Sequence, residues 1–176
     1  MGLHHFALLL ERLPDKRRAA ALVAEHQDIY LNPDQREVTV QREAGTLAEA
    51  VASAIRDLEA ADLPPIRVYD GDWVTLAHIG ERVGRSREAV RLWAIGKQGP
   101  GGFPPPLNPG RETKFYSWTE VSAWIRRHTV LDVPLHEPDL VVANLLLQAR
   151  RLAPRVRDGE VLSALLDLHL QPAGLR

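Results

Sequence analysis

The sequence has no cysteine in its 176 residues. That excludes disulfide staples, cysteine-ligated zinc and thiol catalysis, and makes a cytoplasmic protein the simplest expectation. No apolar run reaches the roughly 20 residues of a membrane-spanning helix. The opening MGLHHFALLLERLPDKRR has a short apolar run, but no basic segment precedes it and no small-residue cleavage site follows, so no secretory leader is expected. Chemistry-bearing motifs are missing too. There is no G-x-S-x-G elbow and no dinucleotide-binding glycine run. Gly96-Lys97-Gln98 lacks the upstream glycine of a phosphate loop, and Gln98 stands where Ser or Thr is needed. The seven histidines fall in no metal-ligand spacing. Neither an enzyme, a metal centre nor a bound cofactor is expected.

Overall basicity is also lacking, since the net charge is −1. Its distribution is uneven. Residues 1–70 hold 8 Lys/Arg against 12 Asp/Glu, residues 71–128 hold 9 against 5, and residues 129–176 hold 5 against 6. Only the middle third is positive, which is what contact with phosphates needs.

That third contains Thr75 to Ala94, TLAHIGERVGRSREAVRLWA, which reads as a helix-turn-helix. Leu76, Ile79, Val83, Val90 and Trp93 recur at helical spacing, and Gly84-Arg85-Ser86 interrupts them. Thr75 and Ser86 can each cap a helix with a hydroxyl. Gly84 suits a left-handed turn, and Gly80 is small enough for two helices to cross closely. The second helix would turn Ala89, Val90 and Trp93 inward. Arg87, Glu88, Arg91 and Ala94 would face outward, with Lys97 just past the end. In a DNA-binding protein that outward face lies in the major groove. Phe103 to Pro106 and Lys114 to Ser117 flank the turn Asn108-Pro109-Gly110-Arg111 and look like a two-stranded wing. Arg111 and Lys114 at its tip would reach phosphate or the minor groove. Ser117-Trp118-Thr119-Glu120 is a capping box opening a third helix, and Trp93, Phe103, Phe115, Trp118 and Trp124 are predicted to form one aromatic core.

Residues 1–70 read strand, helix, strand, strand, helix, strand. Leu3 to Leu10 is predicted as a buried strand, a helix runs from Pro14 to about His26, and strands cover Asp28 to Leu31 and Arg36 to Arg42. Thr46 to Glu49 is a capping box for a helix to about Ala61, and Ile66 to Tyr69 closes the order. This is the ferredoxin-like βαββαβ arrangement. Its third strand carries no aromatic, which argues against an RNA-stacking sheet. Residues 129–176 read as a helical tail, with helices over 140–152 and 159–170, the second capped by Asp158. Their apolar content exceeds one stripe, so cover from a second protomer, a homodimer, is expected.

The run VTLAHIGERVGRSREAVRLWAIGKQGPGGFPPP with FYSWTEVSAWI resembles the winged helix of excisionase-like and MerR-like regulators. It is closer to uncharacterised actinobacterial helix-turn-helix proteins, which share the GPGGFP-type run, here Gly99 to Pro104, and the W-x-E-V-x-x-W element, here Trp118 to Trp124. The resemblance covers about residues 36–127. It implies DNA binding through Arg85, Ser86, Arg87, Arg91 and the wing. The expectation is an α+β chain: a ferredoxin-like domain at 1–70, a winged helix-turn-helix at 71–128 and a helical tail. Its expected function is sequence-specific binding of double-stranded DNA in transcriptional regulation, in a cytoplasmic protein that is nucleoid-associated when bound. The expected site is Thr75, Arg85, Ser86, Arg87, Arg91, Lys97, Arg111 and Lys114. Alternatives are a recombination or phage-type accessory factor and a protein-interaction adaptor that uses the winged helix without DNA.

Overall fold

A computed structural model describes residues 1–133, 138–157, 159–160 and 162. Among these the chain is mixed α+β, with six α-helices and small antiparallel sheets. It divides into two compact units, Met1–Val68 with Ala143 onward, and Tyr69–Val142.

The first unit is organised on β1 (Gly2–Leu10). The other strands are β2 (Ile29–Leu31), β3 (Glu37–Ala44) and β4 (Pro65–Val68), in the order β2-β3-β1-β4 with every neighbour antiparallel. Burial alternates along β1. Phe6, Leu8 and Leu10 lie in the core, whereas Leu3 is 56% exposed. The expected fully buried strand is thus corrected to a half-buried one. Successive side chains point to opposite faces, and only one face meets the helices. Opposite those residues stand Val40 and Val38 of β3, with Ile29 of β2 and Val68 of β4 on the same face.

Two helices complete this core. α1 (Lys16–Glu25) starts two residues after Pro14, because Asp15 caps it by accepting from the N–H groups of Arg17 and Arg18. α2 (Leu47–Ala60) opens on the full Thr46/Glu49 capping box and buries Leu47, Ala50, Val51, Ala54 and Leu58. It packs on β1, β3 and β4. One charged side chain shares the inward face of β3. Arg42 follows Val38 and Val40 by period two and is only 9% exposed. Its Nε donates to Asp28, and its Nη1 donates to Ser53 Oγ at 2.9 Å and Asp57 Oδ2 at 2.7 Å. Burial alone would raise the Asp28 carboxyl, but the Arg42 guanidinium holds it below the ordinary aspartate value.

α6 (Pro138–Leu152) starts on its proline, as expected for a residue with no N–H to leave unpaired. Asn144 accepts from the Val68 N–H at 3.3 Å, Leu147 is buried, and Arg150 pairs with Glu59. Val142, Leu145, Leu146 and Leu152 remain exposed. A 3-10 turn follows over Ala153–Arg155. The expected last helix and its cap at Asp158 lie largely outside the described residues. No helix among the described residues is long and apolar enough to cross a membrane.

The second unit holds β5 (Trp73–Val74), α3 (Leu76–Val83), α4 (Arg87–Ala94), β6 (Tyr116–Ser117) and α5 (Trp118–His128). Val74, Ile79, Val83, Val90, Tyr116, Trp118, Val121, Trp124, Ile125 and Val133 form its core. β6 pairs with β5, Val74 opposite Tyr116. This corrects the expected strand over 103–106. Pro104, Pro105 and Pro106 have no N–H to give a ladder, and that stretch is irregular.

Candidate nucleic-acid interface

The helix pair follows from local chemistry. Thr75 Oγ1 accepts from the His78 N–H at 3.3 Å, and Ser86 Oγ accepts from the Ala89 N–H at 3.1 Å. Between them Gly84 adopts φ 64, and the Arg85 N–H closes onto the Gly80 carbonyl at 2.8 Å. Gly80 is required for a different reason. A Cβ there would stand 2.6 Å from the Arg85 carbonyl oxygen, a backbone atom that cannot swing away. Gly80→Ala is expected to lower unfolding free energy by about 1–3 kcal/mol by forcing the turn apart. Gly84→Asn, at a position where asparagine is tolerated, should cost less. Thermal melts of the two variants compare them directly, and equal losses would contradict the close approach.

α4 ends in a second left-handed glycine. Gly96 has φ 70, its N–H reaches the Trp93 carbonyl at 3.0 Å, and the Lys97 N–H reaches that of Leu92 at 2.9 Å. These are the paired bonds of a Schellman motif. The loop beyond is pinned by Trp124. Its Nε1 donates to the Gly101 carbonyl at 3.0 Å, and its ring lies 5.8 Å from Trp93, 5.1 Å from Phe103 and 5.3 Å from His128. Phe103 also meets Tyr116 edge-on. The predicted single aromatic core is therefore partly right. Trp93, Phe103, Trp118 and Trp124 share one core with Tyr116, while Phe115 packs on Trp73 instead. Asn108 closes the following loop: its Nδ2 donates to the Thr113 carbonyl and its Oδ1 accepts from the Phe115 N–H, both at 2.8 Å.

Between α4 and this loop lies a groove of about 750 Å³. Thr75, Arg87, Arg91 and Lys114 line it together with Glu112 and the proline run. Four of the predicted site residues thus converge. The other four do not line the groove. Arg85 and Ser86 sit at the turn between α3 and α4, Lys97 follows α4, and Arg111 is exposed near the loop tip. No family model, no curated protein and no solved structure matches this chain.

Three cationic side chains in one groove make a receptor for an anionic surface or for acceptor-rich base edges. One of them is already engaged. Arg91 Nε and Nη2 each donate to Glu88 at 2.7 Å, a side-on fork within one helix. Those bonds hold the Glu88 carboxyl below its ordinary value, with Arg87 and Lys97 adding to the effect.

Two supporting residues escape sequence patterns. The buried Asp72 carboxylate accepts from Ser117 Oγ at 3.1 Å and from the Thr119 N–H and hydroxyl, both at 2.7 Å. It therefore caps α5 beside Ser117, whose hydroxyl accepts from Glu120 N–H. Arg82 lies 4.7 Å over the Trp118 ring and donates to the Gly71 carbonyl. Asp72 sits 45 residues before the hydroxyl it binds, so no local period points to it. In the sequence Asp72 is one of two carboxylates in the run Asp70-Gly71-Asp72, with nothing to distinguish it from its neighbour.

Proposed function

We propose that residues 71–128 act as a winged helix-turn-helix that binds double-stranded DNA sequence-specifically, in transcriptional regulation. In this reading α4 enters the major groove, and the loop closed by Asn108 serves as the wing. The first unit is then a ferredoxin-like βαββαβ domain, consistent with its strand order. The resemblance to actinobacterial helix-turn-helix proteins points the same way, and non-enzymatic action belongs to the same reading. One observation carries it above the others: Arg87, Arg91 and Lys114, from a helix and a separate loop, line a single groove.

The test is a duplex titration at two salt concentrations. A phosphate binder must weaken as salt rises. Arg87→Ala is expected to cost about 1–3 kcal/mol and to relax preference at one base position, while Lys114→Ala weakens all sequences alike and flattens the salt slope. Salt-independent binding, or none, overturns the reading and leaves the adaptor. A homodimer is proposed alongside, because α6 leaves Val142, Leu145, Leu146 and Leu152 exposed. A monomeric mass by equilibrium sedimentation at every concentration would remove it.

A further inference from the structure

A carboxylate on a DNA-reading helix needs a reason, because it repels phosphates. Glu88 is such a carboxylate, with its side chain 60% exposed on the first turn of α4. Position in the first turn already favours it, since helix N-termini attract negative charge. That explanation does not require the bonds to Arg91.

The geometry points to Glu88 as the positioning residue that aims Arg91 at a guanine. This inference rests on the DNA-binding reading above. A guanidinium has five N–H donors in a fixed plane. Glu88 takes one from Nε and one from Nη2, which is the side-on edge. The end-on edge, formed by Nη1 and the second hydrogen of Nη2, is left for another partner. Two parallel donors are what guanine O6 and N7 accept in the major groove. Because Arg91 lines the groove beside Arg87, that partner is met where α4 would lie against base edges.

Two consequences separate this arrangement from a plain surface ion pair. First, the guanidinium is held before DNA arrives, so less rotamer freedom is lost on contact. Second, the Glu88–Arg91 pair is neutral as a unit. It adds little to phosphate attraction, and it discriminates between docked complexes by hydrogen bonding. Arg91 then reads a base without adding net charge, whereas Arg87 brings both a base contact and charge, and Lys114 charge alone.

The experiment compares the full chain with Glu88→Gln and Arg91→Ala, using a random-sequence duplex and a set of duplexes varied at each position of a selected site. Glu88→Gln is expected to bind random duplex about 3-fold tighter with a steeper salt slope. Its preference for guanine at one position should fall about 5- to 10-fold. Arg91→Ala should lose preference at that same position without the gain on random duplex. Glu88→Asp should restore part of the preference. A purely structural role for Glu88 predicts something else, namely equal weakening on every duplex with a lowered melting temperature. Unchanged discrimination in Glu88→Gln, or a loss at a different position from Arg91→Ala, overturns the inference while leaving DNA binding in place. Absence of any duplex binding by the parent overturns the DNA reading and this inference with it.

Discussion

Trp124→Ala is expected to remove about 3–5 kcal/mol from the folding free energy, the usual cost of deleting a buried indole, and, under the proposed function, to take duplex binding with it. Trp124 is 6% exposed and touches both sides of the site. Trp93 on α4 lies against one part of its ring and Phe103 against another. Its Nε1–H holds the Gly101 carbonyl, so the connection between α4 and the loop loses both its packing partner and its anchor. Gly99 is wedged in the same place, where a Cβ would lie 3.2 Å from the Trp93 ring. Trp124→Phe separates these contributions. It retains much of the ring contact and loses the hydrogen bond, leaving the Gly101 carbonyl to find water, at about 1–2 kcal/mol. Denaturant melts give the stability changes, and duplex titration well below the midpoint shows whether the folded fraction still binds. A loss under about 1 kcal/mol for Trp124→Ala would show that the loop is held by something other than this ring.

Arg42→Leu is expected to cost about 3 kcal/mol at neutral pH, at the low end of the range for breaking a buried ion pair. The lower figure is chosen because the Asp28 and Asp57 side chains retain 29% exposure and so keep some hydration. The leucine would fit the apolar row of Val38 and Val40. The cost comes from two carboxylates left facing each other. The pH dependence has a definite sign. The Asp28 carboxyl is held below its ordinary value in the folded protein, so its contribution is full above about pH 4 and is lost as pH falls through the folded value. In Arg42→Leu the same carboxyl is free to protonate. The gap between parent and variant therefore narrows below about pH 4. Urea melts at pH 7 and pH 3 measure that gap, and adding Asp28→Asn should recover part of the loss at pH 7. A gap that stays constant across this range would mean that Arg42 acts by packing alone.

These two residues mark where sequence reading succeeds and stops. Helices were legible because their signals are local. Thr46, Thr75, Ser86 and Ser117 each announce a cap within three residues of the amide they bind. Gly84 and Gly96 announce the left-handed ends. Strand pairing was less legible, since β5 finds β6 more than forty residues away. The prolines at 104–106 looked like one side of a wing only because a turn followed them. Period two does place Arg42 on the inward face, but the acids that satisfy it lie on other elements. At the candidate site, helical spacing put Arg87 and Arg91 on one face. It could not show that Lys114 would come round to join them, nor that Glu88 would already hold Arg91.

Asn108 carries a consequence for how this chain can vary. Its amide ties the two sides of the loop at Thr113 and Phe115, and the Leu107 N–H adds a bond to the Phe115 carbonyl at 2.8 Å. Pro109 to Arg111 lie beyond that rivet and line no part of the groove. The tip can therefore lengthen, shorten or take a foreign peptide while the groove below keeps its shape. Pro109 to Arg111 is the place to graft a tag, a fluorophore or a new set of basic residues, and a ready point at which insertions diversify what the loop reaches without redesigning the helices beneath it.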